Sequence, residues 1–124
     1  MVQEIGTVAL IVSAGRGYRV GGETPKQYLR LGGHAILHQS IVAFLAHEHV
    51  DAVRVVIHPD DEQLYRQAIE DLDILSSVFG GAERQDSVRL GLQSLQEWDP
   101  DRVLIHDAAR PRVSRHVIAA VLAE

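Results

Sequence analysis

The segment TVALIVSAG is a continuous, β-rich apolar run that ends in small residues. That pattern predicts a strand buried on both faces, with its carboxyl end opening into a loop. After a turn at Gly32 and Gly33 the period changes. In HAILHQSIVAFLAH the apolar residues Ile36, Leu37, Ile41, Phe44 and Leu45 recur at helical spacing, which predicts a helix packed on a sheet. AVRVVIHP reads as a second strand stopped by Pro59, and DDEQLYRQAIEDL opens with the acidic residues that suit a helix N-terminus. SSVFGG is a short strand breaking into glycines, RQDSVRLGLQSLQEW a third helix, and DRVLIHDAARP a fourth strand ending at Asp107. SRHVIAAVLAE starts a last helix with Ser114 as its cap.

Strands alternating with helices through short loops predict a parallel α/β sheet wound by right-handed crossovers. Ligands of such sheets sit at the carboxyl ends of the strands. Three stretches of unusual composition fall there: residues 13–28, 80–87 and 106–111. The chain then stops inside an apolar helix, as a truncated domain would.

The 124 residues suffice for one core, so one domain or part of one is expected. With 46% hydrophobic residues the chain fits the globular class, and the absence of cysteine excludes disulfides and thiolate metal sites. The apolar run near the start is far too short for a signal peptide core or a membrane span, which predicts a cytoplasmic protein. A net charge of −5 disfavours general attraction to nucleic acid or anionic lipid. Between residues 14 and 30, however, Arg16, Arg19, Lys26 and Arg30 face only Glu23. The chain has eleven arginines and a single lysine, and that lysine is Lys26, beside the glycine-rich turn. Lysine brings a compact charge on a flexible stem where arginine brings a planar fork.

The segment SAGRGYRVGGETPKQY matches neither common phosphate-loop pattern. Val20 stands where a dinucleotide fingerprint needs its third glycine, and Glu23 where a P-loop needs lysine. Gly15 and Gly17 still allow backbone N–H groups to approach phosphate oxygens, while Arg19 and Lys26 can neutralise charge on a transferring phosphorus; a generic anion loop is the alternative. In GGAERQDSV, Gly80 and Gly81 precede a helix start near Gln85. There Arg84 or Ser87 can hydrogen-bond a base or phosphate, unless the segment is a plain turn with Asp86 complementing the helix dipole. In HDAARP, Asp107 followed by two small alanines and Arg110 can hold a hydrated Mg²⁺ carried in on a nucleotide, or simply cap the next turn. The seven histidines look scattered, and His47 and His49 in HEH are expected to be solvated, since a zinc-binding helix needs a spacing of four. Tyr18, Tyr28, Phe44 and Trp98 are too dispersed to stack bases.

Taken together, SAGRGYRVGGETPKQYL, GGAERQDSVRLGL and LIHDAARP resemble, in order and spacing along nearly the whole chain, the cytidylyltransferases of the non-mevalonate isoprenoid pathway. The resemblance implies a three-layer, Rossmann-like nucleotidyltransferase fold of the nucleotide-diphospho-sugar transferase type. It makes residues 1–124 the nucleotide-binding part of one cytidylyltransferase domain. The activity implied is transfer of a cytidylyl group from CTP to 2-C-methyl-D-erythritol 4-phosphate with Mg²⁺ or another divalent cation, by a protein that is a homodimer when full length. Residue by residue, it implies Ser13, Ala14 and Gly15 along the cytosine and ribose, and Gly81, Ala82 and Ser87 at the base, with Arg84 beside them. Arg16 and Gly17 would meet the triphosphate, Arg19 and Lys26 the transition state, Asp107 the metal, and Ala108 with Arg110 would close the nucleotide site. An acidic residue is common in the family where Ala82 stands, so a contact there would run through the backbone. A ribitol 5-phosphate cytidylyltransferase resembles the same loops, and a non-catalytic CTP-binding module is the reading from another class.

Overall fold

A computed structural model describes residues 6–15 and 24–108. Four parallel strands form the main sheet: β1 (Thr7–Ser13), β4 (Ala52–Ile57), β5 (Val78–Phe79) and β6 (Arg102–Asp107), in the order β5-β4-β1-β6. β1 is buried at all seven positions because it lies between β4 and β6 and is covered on both faces. This fits its unbroken apolar run. Its first turn is tied down by Asp51, whose carboxylate accepts from the backbone N–H groups of Gly6 and Thr7, both at 2.9 Å.

Two short strands, β2 (Arg30–Leu31) and β3 (His34–Ala35), pair antiparallel around Gly32 and Gly33. Both glycines have positive φ, +67° and +95°, which a two-residue hairpin of this hand requires. Helix α1 (Ile36–Leu45) follows directly, then α2 (Glu62–Ile69) and α3 (Arg84–Gln93). Ile41 and Phe44 of α1 and Tyr65 and Ala68 of α2 pack with Ala9, Ile11, Val53, Val55 and Ile57 on one face of the sheet. The opposite face carries Val8, Leu10 and Val56 with Leu95 and Trp98. Helix α3 lies so close to it that a Cβ on Gly91 would come within 2.8 Å of both Leu10 and Val56.

The chain thus builds the sheet outward from β1 through β4 to β5, then returns across α3 to place β6 on the other side of β1. Reversing direction while changing face keeps the hand of the crossovers constant, as twisted parallel sheets demand. The reversal leaves a crevice at the carboxyl ends of β1 and β6, where open α/β sheets bind ligands.

Three details depart from the expectations. Leu45, expected on the packed face of α1, is 39% exposed. His47 is buried rather than solvated: the chain folds back after α1, and the His47 imidazole Nδ1 accepts from the His49 N–H at 3.1 Å. Helix α3 ends at Gln93, short of Trp98. The expected last helix from Ser114 lies outside the described residues.

A buried arginine organises the α3 face. Arg54, inside β4, sends Nε to the Ser76 carbonyl and Nη1 to the Ser94 carbonyl, each at 3.0 Å, and lies 4.9 Å from the centre of the Trp98 ring. The charge is thereby satisfied by backbone oxygens and an aromatic face, which makes its burial tolerable.

Candidate functional site

At the crevice, the end of β1, the glycine loop after β5 and the end of β6 converge. A pocket there is lined by Val12, Ala14, Gly15, Gln27, Gly81, Ala82, Glu83, Arg84, Ser87 and Asp107. The β6 register places Asp107 directly opposite Val12, so the carboxylate arrives beside the loop leaving β1. The volume enclosed is about 120 Å³. Pockets for whole small-molecule ligands run to roughly 300–1,000 Å³, so these residues make one part of a larger site.

Each wall has a physical reason for its residue type. Gly80 passes under Ala14 and Ser87: a Cβ there would collide with the Ser87 hydroxyl and come within 2.6 Å of the Ala14 Cβ. Ser87 is 2% exposed, and its Oγ accepts from the Gly81 N–H at 3.2 Å, so it fixes the glycine loop from beneath. Glu83 precedes α3, and its N–H donates to the Asp86 carboxylate at 3.3 Å. Helix α3 therefore begins at the pocket wall, with Arg84 as its first residue. Glu83 and Asp86 cap that N-terminus reciprocally, so Arg84 supplies the positive charge at this wall.

The floor is set by Gln27. It belongs to a short 3-10 turn, Lys26–Tyr28, and its side chain is 3% exposed. Nε2 donates to the carbonyls of Ser13 at 2.8 Å and Gly15 at 3.0 Å. Both partners can only accept, so the amide nitrogen must face them. The same turn carries Lys26, exposed, one residue from the pocket.

Of the expected site residues, Ala14, Gly15, Gly81, Ala82, Arg84, Ser87 and Asp107 therefore meet around one pocket. Ser13 and Ala108 stand behind it as buried supports. The Ser13 hydroxyl is 3.5 Å from the Tyr28 hydroxyl, and the Ala108 N–H donates to the Val12 carbonyl at 3.0 Å. Arg16, Gly17, Arg19 and Arg110 lie outside the described residues. Gln27 and Glu83 line the pocket without having been singled out in the sequence; the PKQY motif contained the first, and its burial was the missing fact.

The histidines are less scattered than expected. His34 and His38 stack at 4.3 Å with their planes 11° apart, and both face Glu70. His34, His38 and Glu70 form a group able to hold a metal ion, away from the pocket. Their spacing of four in HAILH was the overlooked signal. His106 instead packs edge-on against Phe44, with ring centres 5.3 Å apart. Among the described residues no helix is long and apolar enough to cross a membrane.

A parallel sheet with helices on both faces, glycine-bearing loops and a carboxylate meeting at its switch point is a Rossmann-like nucleotidyltransferase fold. Solved structures bear this out. The 4-diphosphocytidyl-2C-methyl-D-erythritol synthase of Anaerococcus prevotii superimposes with a TM-score of 0.75 at 28% identity, over 96% of this chain and 50% of that one. The 2-C-methyl-D-erythritol 4-phosphate cytidylyltransferase of Francisella tularensis gives 0.68 at 33% identity, over 92% and 49%. Residues 7–124 match the family of 2-C-methyl-D-erythritol 4-phosphate cytidylyltransferase, and the chain belongs to that family. Among curated relatives, the bifunctional enzyme IspD/IspF of Paramagnetospirillum magneticum is 53% identical over 116 residues. This chain spans 30% of the length of that enzyme.

Proposed function

We propose that residues 1–124 are the nucleotide-binding part of a single cytidylyltransferase domain. The protein would transfer the cytidylyl group of CTP to 2-C-methyl-D-erythritol 4-phosphate, giving 4-diphosphocytidyl-2-C-methyl-D-erythritol and pyrophosphate. The observation that carries this is the convergence on one pocket of the SAG, GGAER and HDA segments, which lie far apart in the chain. Ala14, Gly15, Gly81 and Ala82 offer backbone to the nucleoside, and Arg84 at the α3 N-terminus offers charge to a phosphate. Arg16, Gly17 and Arg110 extend the nucleotide contacts, and Ser13 and Ala108 brace them.

The acceptor needs no general base. A phosphate monoester has its second pKa near about 6 and is already a nucleophilic anion at neutral pH. Its approach to the α-phosphorus is anion on anion, so the protein's task is alignment and charge neutralisation. Lys26 and Arg19 carry that role. Asp107 fits a hydrated Mg²⁺, which keeps most of its waters and needs only one or two protein carboxylates beside the phosphates. Bound there, the cation would supply charge neutralisation to the leaving pyrophosphate. A cytoplasmic homodimer is the expected state of the whole protein.

The test is calorimetric titration of CTP, UTP and ATP with and without Mg²⁺, followed by transfer assays with 2-C-methyl-D-erythritol 4-phosphate and ribitol 5-phosphate. Selective CTP binding and turnover of the first acceptor are expected. Lys26→Ala should lower kcat far more than CTP affinity. Equal binding of all three nucleotides, or a Lys26→Ala defect confined to affinity, would overturn the assignment.

A further inference from the structure

The His34, His38 and Glu70 group lies apart from the nucleotide pocket and joins three elements. His34 opens β3 of the hairpin, His38 sits in the first turn of α1, and Glu70 follows the last residue of α2. His34 Nδ1 is 2.9 Å and His38 Nε2 3.8 Å from the same oxygen, Glu70 Oε2. One donor atom from each side chain fits within a sphere of contact no wider than 4.8 Å. The backbone adds a second sign. Glu70 has φ +55° and ψ −118°, outside the regions open to a residue with a side chain. Strain of that kind persists only where the surroundings impose it, and the carboxylate beside it lies against both imidazoles.

We propose that His34, His38 and Glu70 form a binding site for a divalent transition metal, with Zn²⁺ as the ion the donors fit. Two imidazole nitrogens and one carboxylate oxygen suit borderline ions such as Zn²⁺, Co²⁺ and Ni²⁺, whereas Mg²⁺ seeks oxygen ligands throughout. The fourth position is open to water, since His34 and Glu70 are both exposed. Arg30, on the same hairpin, donates to the Gly33 carbonyl at 2.7 Å and so steadies the turn that precedes His34. To bind through Nδ1, the neutral His34 ring carries its proton on Nε2, which faces away from the ion. The ion then staples the hairpin and α1 to the end of α2, a few residues along the chain from Lys26.

The experiment uses the purified protein stripped with chelator. Co²⁺ is added and read by visible absorption, Zn²⁺ by calorimetry, and each variant is checked by circular dichroism. Wild type should bind Zn²⁺ with at least tenfold preference over His34→Ala and Glu70→Gln, while His49→Ala, an exposed histidine outside the group, should match wild type. Zn²⁺ should also raise the melting temperature of wild type and of His49→Ala but not of His34→Ala. His34 and Glu70 are exposed, so their variants are expected to fold. Failure of wild type to take up Zn²⁺, or uptake and thermal shift unchanged in both His34→Ala and Glu70→Gln, would overturn the proposal.

Discussion

Replacing Gln27 by alanine removes a side chain that holds the β1 loop to the turn bearing Lys26. Two acceptors lose their donor at once. The Ser13 carbonyl is buried, and leaving such a group unsatisfied costs about 1–3 kcal/mol. The Gly15 carbonyl lies nearer solvent, where water replaces the bond, so its loss is nearer ~0.5–1 kcal/mol. Together the substitution should destabilise the fold by about 1.5–4 kcal/mol, a large share of the roughly 5–15 kcal/mol typical of a domain. Urea unfolding would read this as a lower midpoint at unchanged slope. Because the same carbonyls shape the pocket, CTP affinity should fall by at least about tenfold, or ~1.4 kcal/mol. Gln27→Glu sharpens the test. A carboxylate of the same shape points oxygen at oxygen at neutral pH and should be at least as damaging as alanine, yet it should recover in acid, where the protonated group donates one bond. If Gln27→Ala unfolds within about 0.5 kcal/mol of wild type, the side chain is not the tether described, because surface substitutions without a structural role fall in that range.

Gly80→Ala would drive a methyl group into Ser87 and Ala14. It should cost about 1–3 kcal/mol of stability and abolish measurable nucleotide binding, read by denaturation and calorimetry on the same sample. Gly91→Ala pits the ~1 kcal/mol that alanine gains as a helix former against overpacking on Leu10 and Val56. A net loss of roughly 1 kcal/mol in urea is expected, and a more stable variant would show that α3 has room to move. Burial pushes the Tyr65 hydroxyl up to about 12, with Tyr28 adding to the rise. Its contribution is therefore complete below the unfolded value near about 10 and is lost as pH climbs through the folded one. Wild type should lose stability between those limits, and Tyr65→Phe should lose less over the same window.

The fold was legible where local pattern and tertiary context agree. β1 is a buried central strand, and its apolar run has no other comfortable place. The helix ends were not legible, because distant residues settle them. α3 stops where Arg54 takes the Ser94 carbonyl, and α2 stops before Glu70, whose backbone leaves helical geometry and whose carboxylate meets His34. His47 read as polar and solvated, but folding back after α1 buries it against its own turn. At the site, the three strand-end segments could be named from composition and position alone. What composition could not supply was direction: Gln27 and Lys26 are neighbours of similar polarity, yet one points under the loop and the other out to solvent.

The register of β6 against β1 has a consequence for how the protein comes to be functional. Asp107 reaches its place only when the last described strand lies alongside the first, with every other described element between them in the chain. Contacts between segments so distant in sequence form late and are opposed by loop-closure entropy. The pocket is therefore complete only when the sheet is, and a ligand held there would stabilise only the finished sheet. Ligand binding would then act as a proofreading signal for folding, rewarding the one arrangement in which β1 and β6 have met.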